Sequence, residues 1–377
     1  MLTVVFGGSL FLVFFAYFGY PLTLLLMARF RTQTVRKAPI FPETTLIITA
    51  YNEAGRIREK LENTLALDFP REKLQVLVAS DGSTDATDSI VLEYASQGIE
   101  LLSVKGRGGK ENAQREAVQR ARGEILVFTD VATRLSTDGL QQIVANFADP
   151  TVGCVSSVDR VLGRDGQPCG EGMYVRYEMW LRHMESRVHS LVGLSGSFFA
   201  ARSEVCKDFS PNMQSDFRTL LNSMRVGLRG VSDIEAVGYY LDVADSKREF
   251  DRKVRTVLRG LNVFFHNLEF LNPMRYGLFS YQYFCHKLLR WLVPLFLLLA
   301  LASNLVLGLG SLGYSALLVA QLVFYVTALF GWQRPALASP RLLKIPSYFV
   351  AANVAIVVAW WRYMRGERMV MWTPSQR

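Results

Sequence analysis

Glu53, Asp81 and Asp130 each close a short apolar run, Thr45–Ala50, Leu74–Ala79 and Ile125–Phe128 in turn. Carboxylates in such places have two uses. One accepts hydrogen bonds from a nucleobase N–H or from ribose hydroxyls. Another holds a divalent cation that neutralises a diphosphate. Unopposed carboxylates repel a phosphate, so a bound metal reconciles the two. Lys110 opens a helical stretch after Gly106-Arg107-Gly108-Gly109. A Gly-rich loop carrying Arg107 and Lys110 at a helix N-terminus suits a diphosphate. There is a plainer reading of each feature. Asp81 and Asp85 lie in Asp-Gly-Ser-Thr-Asp, good helix-capping material, and a basic loop is often just solvated surface. Capping is the better account of Asp85. Asp81 and Asp130 follow apolar strands, which favours chemistry.

Those acids need elements that bring them together. Thr45–Ala50, Leu74–Ala79, Ile99–Val104 and Ile125–Phe128 read as buried strands. Gly55–Leu67, Asp85–Gln97 and Gly109–Arg122 have helical spacing between them. Strands alternating with helices argue for βαβ units and a parallel sheet. Right-handed crossovers then put a ligand outside the C-terminal strand ends. Glu53, Asp81 and Asp130 should meet in one crevice there.

Half of the 377 residues are hydrophobic, and they concentrate at the two ends. Residues 4–27 are long and apolar enough to cross a bilayer. Arg29, Arg31, Arg36 and Lys37 follow, which places the next segment in the cytoplasm. No basic start or small-residue cleavage site marks a signal peptide, so an uncleaved anchor is expected. Lys247–Arg259 is a basic helical stretch, and 261–287 suits amphipathic helices in the interface plane. Residues 291–309 and 311–330 are spanning candidates; 346–361 is shorter and ends in Trp360-Trp361. Three spans after a cytoplasmic domain put the C-terminus outside. Arg362, Arg365, Arg368 and Arg377 favour the inside, so the last segment either crosses against the rule or lies re-entrant or interfacial.

The formal charge of +9 arises largely from Lys and Arg beside apolar segments. That favours an anionic membrane surface over nucleic acid. Cys154, Cys169, Cys206 and Cys285 form no CxxC pair, which argues against a thiolate metal site or a disulfide framework. His183, His189, His266 and His286 lack metal-ligand spacing. Too few spans and no intramembrane acid argue against a transporter.

The motifs occur in a fixed order. Thr49-Ala50-Tyr51-Asn52-Glu53 comes first, then Ala79-Ser80-Asp81-Gly82-Ser83-Thr84-Asp85, then Gly109-Lys110 with Ala113 and Ala117. Ala121-Arg122-Gly123-Glu124 and Phe128-Thr129-Asp130 follow. This succession resembles family 2 glycosyltransferases with the GT-A fold, over about residues 44–260, and the membrane arrangement resembles the family's polysaccharide synthases. The resemblance implies an α/β, Rossmann-like GT-A domain with a mostly parallel sheet, plus transmembrane and interfacial helices. The organisation then reads as an N-terminal transmembrane helix (1–30), a cytosolic GT-A domain (44–245) and interfacial helices (246–287). A transmembrane region of two to three spans (288–361) and a basic tail (362–377) complete it. The expected home is a bacterial-type inner or plasma membrane, with the catalytic domain cytoplasmic.

The resemblance also implies roles. Tyr51, Glu53, Asp81 and Lys110 belong with the nucleotide sugar. Asp130 leads the family's DxD element, which holds Mg²⁺ or Mn²⁺ at the diphosphate. Ser195 and Gly196, within Val192–Ala200, resemble the Gly-rich acceptor-side element. Asp216, in Gln214-Ser215-Asp216-Phe217, resembles the acid before a helix that serves as base in an inverting transfer. Arg252 and Arg255 match the QxxRW element in spacing, and Trp372 loosely matches a Trp…Arg element by the acceptor channel.

Three departures matter. Ala132 stands at the third DxD position, Ser215 replaces the usual Glu, and Thr256 replaces the Trp of QxxRW. The expected activity is inverting transfer from a nucleotide sugar to a membrane-associated glycan or lipid-linked acceptor. That fits exopolysaccharide or envelope glycolipid synthesis, with room for partner proteins of an assembly system. The lost Trp favours single over processive transfer. The alternative is a degenerate domain that binds nucleotide or glycan without catalysis.

Overall fold

The computed structural model describes residues 1–162, 173–241, 246–333 and 341–369. It divides into two compact units, Met1–Leu25 with Asp245–Arg368, and Leu26–Ala244 with Met369–Arg377.

The first unit opens with α1 (Leu2–Phe14) and α2 (Tyr20–Phe30), joined without a break by a π turn at Phe15–Gly19. The second is built on β1 (Thr44–Ala50), α3 (Ile57–Leu65), β2 (Leu74–Ser80), α4 (Thr87–Leu92), β3 (Ile99–Ser103), α5 (Lys110–Arg120) and β4 (Ile125–Asp130). Then come β5 (Arg134–Leu135), α6 (Gly139–Ala145), β6 (Val152–Leu162), α7 (Met173–Val188), β7 (Phe198–Arg202), α8 (Ser215–Arg225) and β8 (Arg229–Leu241). One sheet holds all eight strands in the order β3-β2-β1-β4-β7-β6-β8-β5. The β3-β2-β1-β4 half is parallel throughout. Beyond it β4–β7, β7–β6 and β8–β5 are antiparallel, while β6–β8 is parallel.

β1 is buried along its whole length, as a strand covered on both faces must be. Its side chains alternate between two cores. Leu46, Ile48 and Ala50 join Ile57 and Leu61 of α3, while Ile47 joins Ala113 and Ala117 of α5 and Phe128 of β4. Helices therefore cover both faces, and all three parallel crossovers end at the same sheet edge. The helix expected over Asp85–Gln97 stops earlier. Glu93 and Tyr94 bond back three residues, and Gly98 at φ 86° reverses the chain.

The remaining helices belong to the first unit: α9 (Ser246–Phe265), α10 (Pro273–Tyr276), α11 (Leu278–Tyr283), α12 (Arg290–Gly308), α13 (Leu312–Gln333) and α14 (Arg341–Met364). A π turn at Phe284–Leu289 fuses α11 to α12, so the span expected from 291 is part of a 31-residue helix from Leu278. Pro294 lies inside it without ending it. The short run at 346–361 lies within α14, whose apolar part, Ile345–Met364, is 20 residues long. At 1.5 Å per residue that reaches across a hydrocarbon core. Four helices among the described residues are thus long and apolar enough to cross a membrane: Leu2–Phe30, Leu278–Gly308, Leu312–Gln333 and Ile345–Met364. Leu298, Val323 and Val326 face outward on them, as lipid contact requires. Trp360 Nε1–H donates to the Trp291 carbonyl at 3.0 Å and ties α14 to α12.

Candidate active site

Short polar side chains join the ends of β1 and β2. Asn52 takes a φ of 51°, a left-handed conformation that Asn tolerates better than most residues. Its Oδ1 accepts from the Thr84 N–H at 2.8 Å, and its own N–H donates to Ser83 Oγ at 3.1 Å. Asp85 accepts from the N–H groups of Ala54 and Thr87, both at 3.0 Å. It therefore takes up the first N–H of α4, whose N-cap position is Ala86, and binds the two loops together. Glu53 is buried, and its Oε2 accepts from Arg56 Nε at 2.8 Å. Burial pushes its carboxyl above the usual range, and Arg56 pulls it part of the way back.

Asp81 is wholly buried and faces the Gly-rich loop. The Gly109 N–H donates to Oδ2 at 2.8 Å, and the Gly108 N–H donates to Oδ1 at 2.8 Å. Burial raises this carboxyl while the two N–H groups lower it. Gly82 permits the approach. It has a φ of 64°, and a Cβ there would lie 2.7 Å from the Gly106 carbonyl carbon. The Arg107 guanidinium sits 4.2 Å from the centre of the Tyr51 ring, a cation–π contact.

The loop delivers Lys110 to the end of β4. Lys110 is buried, and its Nζ donates to Asp130 Oδ1 at 2.5 Å and to the Gly196 carbonyl at 2.9 Å. The Asp130 N–H donates to the Ser197 carbonyl at 3.1 Å. Gly196 also abuts Asp216, since a Cβ on it would lie 2.9 Å from Asp216 Oδ2. Asp216 is buried in the first turn of α8. Its Oδ1 accepts from the Phe217 N–H at 2.8 Å and its Oδ2 from Gln214 Nε2 at 3.0 Å. Lys110, Asp130, Ser195, Gly196 and Asp216 therefore converge, with Tyr51, Glu53 and Asp81 on the neighbouring strand ends.

Arg252 and Arg255 lie on α9, in the other unit. Arg252 is exposed and Arg255 half-buried. Trp372 lies outside the described residues. No group of three His, Cys, Asp or Glu that could hold a metal occurs among the described residues. Asp130, half-buried, is the acid at the β4 end, and Ala132 offers no ligand. One carboxylate, paired with Lys110, is what this strand end could offer a divalent cation, and the rest of the shell would have to come from outside these residues.

Sequence reasoning missed a Lys–Asn pair and an acid. Lys60 is 3% exposed on α3, and its Nζ donates to Thr129 Oγ1 at 3.0 Å and to the Thr133 carbonyl. Burial brings its pKa down to about 7, against the pull of Asp130. Asn63, one turn on, bonds both the N–H and the carbonyl of Leu135 at 2.9 Å. Together they hold the segment that follows Asp130. The available signal was a lysine on the stripe Ile57, Leu61, Thr64. The acid is Asp159 on β6, which accepts from Ser195 Oγ at 2.8 Å and Ser197 Oγ at 2.5 Å. Its signal was an acid ending an apolar and small-residue run, with Arg160 next to it.

A half-parallel sheet whose strand ends gather carboxylates and a Gly-rich loop defines a GT-A type domain. Residues 45–209 match the glycosyl transferase family 2 model. A solved mannosyltransferase from Pyrobaculum calidifontis, in complex with GDP-Man and Mn²⁺, shares the fold. The two superpose with a TM-score of 0.73 at 24% identity, covering 97% of this chain and 100% of that one. The beta-monoglucosyldiacylglycerol synthase of Synechocystis sp. is 29% identical over 119 residues, 30% of this chain and 25% of the synthase. The poly-beta-1,6-N-acetyl-D-glucosamine synthase of Staphylococcus epidermidis is 22% identical over 169 residues, 44% of this chain and 40% of that protein. The chain thus matches between a quarter and two fifths of these relatives' length.

Proposed function

We propose that the chain is an inverting glycosyltransferase. It moves a sugar from a nucleotide-sugar donor to a membrane-associated glycan or lipid-linked acceptor. Among the described residues, four helices long and apolar enough to cross a membrane support an anchor in a plasma-type membrane, and the basic segment after α2 supports a cytoplasmic catalytic domain. The likeness of its domain to polysaccharide and glycolipid synthases supports a role in exopolysaccharide or envelope glycolipid assembly.

One observation carries the reading. Gly196 offers its carbonyl to Lys110, the partner of Asp130, and lies against Asp216. The cation and acid suited to a diphosphate thus stand one residue away from the acid suited to be a base. Glu53 and Asp81, with Tyr51, would receive the nucleoside, and Lys110 the diphosphate; Arg252 and Arg255 remain candidates for the leaving group. A divalent cation on Asp130, Mg²⁺ or Mn²⁺, would neutralise charge on that group. Asp216 takes the proton of the acceptor hydroxyl as its oxygen bonds to the anomeric carbon. The bond from that carbon to the diphosphate breaks, and its electron pair leaves with the nucleoside diphosphate. Attack opposite the leaving group inverts the centre.

Asp216→Asn tests this. It should cut transfer by about 10²-fold or more, while donor affinity measured by calorimetry stays within about twofold. Near-normal turnover would remove Asp216 as the base.

A further inference from the structure

Asp159 lies outside every motif that pointed to the site, yet it meets the site at its centre. It sits on β6, in register with Gly238 of β8, and is half-buried. Each of its carboxylate oxygens accepts from a different serine: Oδ2 from Ser195 Oγ at 2.8 Å, Oδ1 from Ser197 Oγ at 2.5 Å. The two hydroxyls are also 2.9 Å apart. Hydrogen bonds to a charged acceptor are shorter and stronger than neutral ones, and these two hold one three-residue loop at both ends. The Ser195 N–H adds a third restraint, donating to Ser156 Oγ on the same strand at 2.8 Å.

The residue between the serines is Gly196. Its carbonyl accepts from Lys110 Nζ at 2.9 Å, and its Cα faces Asp216. The next carbonyl, of Ser197, accepts the Asp130 N–H at 3.1 Å. The loop therefore touches the donor-side pair at two points and the base at a third. Glycine cannot hold such a geometry by itself, because it has the widest conformational freedom of any residue. The order must come from its neighbours, and the neighbours are tied to Asp159.

We propose that Asp159 is a positioning residue: by gripping Ser195 and Ser197 it fixes Gly196, and so sets the spacing between the Lys110–Asp130 pair and Asp216. The role rests on the glycosyltransferase reading, since the spacing matters only if both sides act on one reaction. It predicts a loss in the chemical step rather than in donor binding. Reacting groups misplaced by about 1 Å can cost about 10²-fold in rate.

The test uses the full-length protein in lipid, with Asp159→Ala, Ser195→Ala/Ser197→Ala and the triple variant. Thermal midpoints check that each folds, and Asp159→Asn, which keeps the shape, stands in should the alanine variant fail. Asp159→Ala should lower kcat by about tenfold to a hundredfold, with donor Kd by calorimetry within about threefold. The triple variant should lose no more than Asp159→Ala alone, because the three side chains act as one unit. Amide exchange at Asp130 and at 195–197 should quicken in Asp159→Ala. An unchanged kcat, strictly additive losses, or an equal loss of donor binding and kcat would overturn the role while leaving the enzyme reading intact. A wild-type protein that turns over no donor would sink that reading, and this role with it.

Discussion

At the scale of the residue, the site works by opposing burial with partners. Asp81 shows this well: burial lifts its carboxyl, and the N–H groups of Gly108 and Gly109 bring it down. Asp130 is paired with Lys110 at 2.5 Å. Removing it by Asp130→Ala would take away the acid that suits a cation and strand a buried lysine. Metal-dependent donor binding should weaken at least about tenfold, or about 1.4 kcal/mol, by calorimetry with and without Mg²⁺ or Mn²⁺. Equal donor affinity in the variant would place the cation elsewhere. Lys60 gives a pH signature. Its folded pKa of about 7 lies below the ordinary lysine value of about 10.4. Between those two values the unfolded chain holds more protons, so stability rises with pH across the window. Below about 7 both states are protonated and the full penalty of burying the charge is present. Denaturation midpoints taken from pH 7 to 10 should rise in the wild type and stay flatter in Lys60→Met. Parallel curves would mean that Lys60 titrates normally.

At the scale of the element, the strands and helices before residue 130 were legible, and their edges fell within about two residues in most cases. Buried parallel strands write themselves as unbroken apolar runs, so β1, β2 and β4 were readable. β5 to β8 were not. β5 has two residues, and β6 mixes Ser, Asp and Arg into its run. Antiparallel partners distant in sequence, such as β4 with β7, leave no local pattern. The same limit hid Asp159 and Lys60, whose partners lie 36 and 69 residues away. Gly196, by contrast, was legible as part of a Gly-Ser run, though not its contact with Lys110. The Gly-rich loop gives its own prediction. Gly82→Ala puts a methyl group into the Gly106 backbone and imposes a left-handed φ on alanine. That strain costs roughly 1–3 kcal/mol. The variant should melt lower, and donor affinity should fall as Asp81 loses its grip on the loop. An unchanged melting point would mean the loop moves away without cost.

At the scale of the whole molecule, composition announced the division between apolar ends and an α/β middle. It left the last apolar run, 346–361, open between crossing and lying re-entrant or interfacial, and α14 extends that run to 20 apolar residues, Ile345–Met364. Among the described residues, three long apolar helices follow the segment that matches the family 2 model, at Leu278–Gly308, Leu312–Gln333 and Ile345–Met364. The central claim, that this domain transfers sugars, is tested most directly by a donor screen. Purified wild-type protein, reconstituted with lipid extract, is given common nucleotide sugars with and without Mg²⁺ or Mn²⁺, and nucleoside diphosphate release is measured. The account predicts metal-stimulated release from at least one donor, lost in Asp216→Asn. Release from none of them, or release that survives Asp216→Asn at full rate, would contradict it.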